Sequence, residues 1–301
     1  MYDAIAANRR NTFLLMAVMT VVLMGLGYVL ALAFGLNGGA GLLIAGIVAA
    51  LWIGISYFNG DSILLAASNA HQIQKSDNPQ LFNVIEELSI AAGLPMPKIY
   101  IIDDSAPNAF ATGRTPENAS VAITTGLLEK LNRAELQGVM AHELSHVQNR
   151  DILYSTLIGA IAGAIIFISD VFLRSMRYGG GRSRGGSSKD KGGSSQGLLM
   201  LLGIVLAVIA PIIAQLLQLA CSRQREYLAD ASGVMLTRYP EGLASALEKI
   251  ADDPDKLDVA SRANQHLFIV NPFEKGHLSL DSLFSTHPPL EERIKRLRAI
   301  K

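Results

Sequence analysis

Four long apolar runs divide the chain, and between them hydrophobic residues recur at helical or alternating spacing. Thr12 to Phe34 and Gly41 to Phe58 carry no charged residue. Each approaches the roughly 20 residues a helix needs to cross about 30 Å of hydrocarbon, so residues 1–58 are predicted to form two transmembrane helices, 12–34 and 41–58. Arg9 and Arg10 precede the first run and Ala31-Leu32-Ala33 imitates a signal cleavage site. The apolar stretch is longer than a signal core and a second run follows at once, which favours an uncleaved anchor. Two further runs, 152–173 and 197–220, are long enough to span although Asp170 lies in one and Pro211 in the other. Between them, residues 178–196 are rich in Gly and Ser with Arg182, Arg184, Lys189 and Lys191. Such a segment has too little apolar surface to fold alone and is predicted to be a flexible linker.

The segments 59–151 and 221–301 read as the two parts of one folded domain. From Asp77 to Gly93 the pattern is helical, opened by Asn78-Pro79 and closed by Gly93-Leu94-Pro95. Lys98 to Ile102 and Ser120 to Ile123 read as strands, with Asn108 to Gly113 a further short strand or its turn. Asn132 with Glu135 three residues on has the form of a capping box, predicting a helix from about Arg133 through His146. The tail from Pro240 mixes short helices and loops and ends in a helix whose Leu290, Ile294, Leu297 and Ile300 share one face.

Composition narrows the class. Half of the side chains are hydrophobic, 17% are charged, and acidic and basic residues balance at 26 each. That is too apolar for an ordinary soluble enzyme, and zero net charge gives no pull toward nucleic acid. The lone Cys221 excludes an intrachain disulfide. Arg9-Arg10 place the N-terminus in the cytoplasm by the positive-inside tendency, and residues from about Asn59 onward return there. If 152–173 and 197–220 both span, the basic linker lies on the wrong side for that tendency, so their full crossing stays open. An even number of crossings is required if both flanks build one site.

His142-Glu143-Leu144-Ser145-His146 falls on the helix predicted from Arg133. Residues four apart share a face, so His142 and His146 can offer two imidazole nitrogens to one zinc ion. Glu143 is turned about 100° away and can reach a reacting water instead. A catalytic zinc takes three protein ligands, and the positions that would extend the motif hold Asn149 and Ile152. Downstream, Glu226 and Asp230 stand one turn apart. On spacing alone they are either a third ligand with a carboxylate that orients a ligand histidine, or a solvated face paired with Arg223 and Arg225.

NAFATG (108–113), HELSHVQNRD (142–151), REYLAD (225–230) and THPPLEERI (286–294), in that order among the hydrophobic segments, resemble the HtpX family of bacterial membrane zinc proteases, relatives of the CAAX prenyl endoproteases. The resemblance covers essentially the whole chain except the linker. It implies a multi-pass α-helical membrane protein with a mainly α, zincin-like α+β metalloprotease domain carrying a small sheet. One Zn2+ per chain would be held by His142, His146 and Glu226, with Asp230 and Arg293 supporting the ligands. Glu143 would act as general base and His287 would help hold the oxyanion. Asn108, Ala109, Phe110 and Ala111 would form an edge strand that pairs with extended polypeptide substrates, membrane or unfolded proteins, in quality control at the bacterial inner membrane, with the site facing the cytoplasm. Two rival readings are a prenyl-protein processing protease, for which more spanning helices are expected, and a non-catalytic membrane scaffold with structural zinc, in which Glu143 would have no use.

Overall fold

The computed structural model of the 301-residue chain describes residues 37–160, 223–255, 257, 267–270 and 288–300, together with residues 6, 10–18, 20, 21, 24, 25 and 28. The linker 178–196, the fourth apolar run 197–220, Cys221 and His287 lie outside the described residues. So does the third run beyond residue 160.

The described positions of the first apolar run, which fall between 12 and 28, are helical. The second run forms α1 (Gly38–Ala67), 30 residues long, opened by Asn37, whose side chain accepts from the Gly39 N–H. The helix does not stop at Phe58. It passes through Asn59-Gly60-Asp61 and ends only after Leu64 and Leu65 have entered a core of Ile102, Ala106, Phe110, Ala122 and Phe268. Local polarity cannot end a helix whose next turn buries two leucines. Among the described residues, α1 is the one helix long and apolar enough to cross a membrane.

Helix α2 (Pro79–Ala92) has the predicted ends. Asn78 accepts from the Leu81 N–H, and Gly93 closes the helix in the left-handed region, where a side chain would be strained. Its Leu81, Val84, Ile85 and Leu88 are buried against a sheet of four strands: β1 (His71–Gln72), β2 (Lys98–Ile102), β3 (Ala109–Gly113) and β4 (Ala119–Thr124). The order is β1-β2-β4-β3, with β2 and β4 parallel and both outer pairs antiparallel. The segment open between strand and turn is therefore a strand, and it ends the sheet. The Asn108 carbonyl accepts from the Thr124 N–H and the Asn108 N–H donates to the Thr124 hydroxyl, a pairing that turns the backbone groups of Ala109, Ala111 and Gly113 away from β4.

After the short α3 (Thr125–Lys130) comes α4 (Arg133–Gln148), around which the rest is built. Both halves of its capping box are present: Asn132 accepts from the Ala134 and Glu135 N–H groups, and Glu135 accepts from the Asn132 N–H at 2.9 Å. Helices α2, α5 (Arg223–Thr237) and α6 (Pro240–Ala251) pack on α4, and α7 (Leu290–Ala299) packs on α5 and α6. Glycines set two of these crossings. A Cβ at Gly138 would lie 2.5 Å from the Leu243 nitrogen, and one at Gly233 would lie 3.1 Å from the His142 nitrogen. Of the face predicted for the last helix, Leu297 is buried and Leu290 and Ile294 pack partly, while Ile300 falls past the helix end and is exposed.

Candidate metal centre

The glycine-mediated approach of α5 to α4 brings Glu226 over the two histidines. His142 Nε2 and His146 Nε2 are 3.1 Å apart, and Glu226 Oε2 and Oε1 lie 3.6 and 3.7 Å from them respectively. Donors placed tetrahedrally at about 2.0–2.1 Å from a zinc ion sit about 3.3–3.4 Å from one another, so the two ring nitrogens and the Glu226 carboxylate, which offers a different oxygen to each ring, stand close to the spacing of a filled site. Each histidine is also backed by a carboxylate. Asp230 Oδ1 is 2.9 Å from His142 Nδ1, and Asp151 Oδ2 is 3.0 Å from His146 Nδ1. Those contacts turn Nδ1 of each ring toward a carboxylate and Nε2 of each ring toward the other.

Charge points the same way. Glu143, Asp151, Glu226 and Asp230 are all buried, and Arg293 is the buried guanidinium among them. Four carboxylates against one guanidinium leave an excess of negative charge that a divalent ion offsets. The same field acts on His146: burial disfavours its charged form, but Asp151, Glu226 and Glu143 outweigh burial and push it up to about 10. Burial likewise pushes the Asp230 carboxyl up, and Arg293 with His142 reverses this, holding it well below the ordinary range. For Glu143 burial wins and the carboxyl is raised. Its partner outside the cluster is the outward-facing N–H of Ala111 on β3.

Arg293 ties the cluster to the far end of the chain. Nε and Nη2 bind both oxygens of Asp230 at 2.9 and 2.7 Å, and Nη1 donates to the Ile269 carbonyl at 3.0 Å. The Ile269 N–H in turn donates to the Ala109 carbonyl at 3.0 Å, and Asn108 Nδ2 donates to the Val270 carbonyl at 3.1 Å. Phe268 meets Phe110 edge to face. Residues 267–270 thus lie along the outer side of β3 at Ala109, so that edge is not bare.

The structure brings together His142, Glu143, His146, Glu226, Asp230 and Arg293, with Asn108, Ala109, Phe110 and Ala111 beside them. The alternative pairing of Asp230 with Arg223 or Arg225 is replaced by Arg293 and His142. Sequence reasoning gave Asp151 no role. Its signal is a turn: α4 ends in a Schellman motif in which Arg150 adopts φ 56°, the Arg150 N–H bonds the Val147 carbonyl, and the Asp151 N–H bonds the His146 carbonyl. That geometry folds the fifth residue after His146 back against it.

The sequence pattern of Peptidase family M48 matches residues 75–301. A "Protease HtpX homolog" of Thermoanaerobacter pseudethanolicus is 45% identical over 300 residues, covering 100% of this chain and 98% of that protein. Similarly named proteins of Tropheryma whipplei and Lactobacillus acidophilus are 44% and 42% identical, each over 99% of this chain and at least 98% of their own. The crystal structure of S. mikatae Ste24p superimposes with a TM-score of 0.50 at 19% identity, covering 99% of this chain and 67% of that one, which is a likeness of fold.

Proposed function

The chain belongs to peptidase family M48, within its HtpX group, and on that premise we propose that it is a membrane-bound, zinc-dependent endopeptidase in which Glu143 is the general base. The observation that carries this reading is the convergence of His142 Nε2, His146 Nε2 and Glu226 on one point, each ring closed on its other side by a carboxylate. When bound, zinc polarises the scissile carbonyl and lowers the pKa of water.

The residues of the chain do the rest. Glu143, on the next helical position after His142, takes the proton of the attacking water and delivers it to the leaving amine. Burial raises its affinity for that proton, which suits a group that must pass it on. Asp230 and Asp151 hold the ligand rings, and Arg293 holds Asp230. An extended peptide adds beside β3, where main-chain pairing gives affinity with little sequence preference, a mode suited to unfolded or damaged membrane proteins. At Ala109 the incoming strand takes the place of Ile269. His287 assists the oxyanion. Helix α1 anchors the enzyme in the bacterial inner membrane, with the site on the cytoplasmic side and 152–173 and 197–220 returning the chain to that side.

The test is cleavage of casein or a membrane protein by the full chain in detergent. A chelator should abolish cleavage and zinc should restore it. Glu143→Gln should keep the metal and lose about 10²–10⁴-fold in kcat. Chelator-resistant cleavage, or normal turnover by Glu143→Gln, would remove this mechanism.

A further inference from the structure

One buried acid beside the cluster has an arrangement that stability does not account for. Asp151 stands at the joint between α4 and the helical stretch 152–160, and its carbonyl accepts the first helical bond, from the Ser155 N–H at 3.2 Å. An Asp in that position ordinarily turns its carboxylate onto the N–H groups of the new helix. Asp151 does not. Oδ2 faces His146 Nδ1 at 3.0 Å, and Oδ1 is buried without a hydrogen-bond partner among the described residues. A buried carboxylate oxygen left without a partner costs stability, so the side chain gives up a cap for the histidine.

The stretch that Asp151 opens touches the site region twice more. Tyr154 lies under the Arg225 guanidinium at 4.7 Å, one residue before Glu226. Thr156 Oγ1 meets Thr112 Oγ1 at 2.8 Å and accepts from the Gly113 N–H at 3.1 Å, pinning the far end of β3. The same residue packs against Gly60 of α1.

We propose that Asp151 is a positioning residue for His146: it fixes the ring as the Nδ1–H tautomer and aims Nε2 at the metal position, so that the seat of the third apolar helix sets the geometry of a zinc ligand. The proposal rests on the metallopeptidase reading, and metal binding tests it without any cleavage. An imidazole held by a carboxylate is a stronger and better aimed donor, and losing such a partner typically costs 10–100-fold in metal affinity.

The experiment compares the full chain in detergent with Asp151→Ala and Asp151→Asn. Zinc is titrated into the stripped proteins against a chromophoric chelator, and cobalt(II) is added to read the ligand-field absorption bands. Asp151→Ala should bind zinc about 10–100-fold more weakly and shift the cobalt bands. Asp151→Asn, whose amide oxygen still accepts the ring N–H, should fall between Asp151→Ala and the parent. In peptide cleavage, kcat should fall while KM stays within about two-fold, because Asp151 acts through the ligand and not through the substrate. If Asp151→Ala yields no folded protein, the near-isosteric Asp151→Asn decides alone. Parent-like zinc affinity and parent-like cobalt bands in the folded variants would overturn the role of Asp151 and leave the function standing. A parent chain that takes up neither metal would overturn the metallopeptidase reading, and this proposal with it.

Discussion

Helix α1 is made almost wholly of apolar residues and leaves Leu43, Ile44, Ile47, Val48 and Leu51 exposed. Helix α4 is on balance neither apolar nor polar, yet it buries Glu135, His142, Glu143 and Ser145 along with its hydrophobic positions. The ordinary relation between composition and surroundings is inverted in both. For α1 the inversion fits the membrane anchor proposed above, since exposure of Leu and Ile to hydrocarbon costs nothing. For α4 it means that buried polar groups are kept there by partners: Lys249 for Glu135, Asp230 for His142, Asp151 for His146.

The comparison breaks first where a partner is removed. Arg293→Ala leaves Asp230 as an uncompensated buried charge, which should cost about 3–5 kcal/mol, read as a lower melting temperature of the detergent-solubilised chain. Arg293→Lys should recover little, because a single ammonium cannot make the paired contacts of Nε and Nη2. An unchanged melt in both would mean that Asp230 is not charged in the fold. On the other side of the comparison, Val48→Lys puts a charge near the middle of the apolar stretch of α1, at about 2.5–3.5 kcal/mol against insertion. Carbonate extraction should release more of that variant from membranes. Equal retention would remove α1 as the anchor.

Smaller effects sharpen the picture of α4. Gly138→Ala drives a methyl group into the backbone of Leu243 and should destabilise by about 1–3 kcal/mol. A parent-like melting temperature would show that α6 can move away. Glu135 is buried, which pushes its carboxyl up, but Lys249 and the Asn132 N–H outweigh burial and lower it. Its contribution is therefore complete above the ordinary glutamate pKa and is lost as pH falls through the depressed one. Glu135→Gln should be less stable by about 1 kcal/mol at neutral pH, with the gap closing in acid. A gap that persists below pH 3 would assign the effect to packing.

What could be read from the sequence follows the range over which each signal acts. The ends of α2 and the start of α4 were legible because Asn78, Gly93, Asn132 and Glu135 work within four residues of their partners. Glu226 and Asp230 were ambiguous on spacing because the group that decides them, Arg293, is 63 residues from Asp230 and 151 from His142. The family resemblance supplied what spacing could not. Asp151 was missed because a Schellman turn, and not helical periodicity, brings it to His146. The length of α1 was underread because Asn59-Gly60-Asp61 looks like an end, while Leu64 and Leu65 are needed in a core the sequence does not display.

That extra length makes α1 a ruler. Residues 59–67 continue the helix past its apolar stretch for roughly 13 Å at 1.5 Å per residue. Their last turn is packed against Ile102 of β2 and Phe110 of β3. On the function proposed above, with α1 seated in the bilayer, the cleavage point would stand off the hydrocarbon surface at a fixed height. An extended chain advances about 3.3 Å per residue, so a membrane substrate needs on the order of four residues clear of the lipid before a bond reaches that height. Cuts should therefore fall in loops and tails, and a protein whose tail is too short to climb the stalk should escape until part of it is pulled from the membrane.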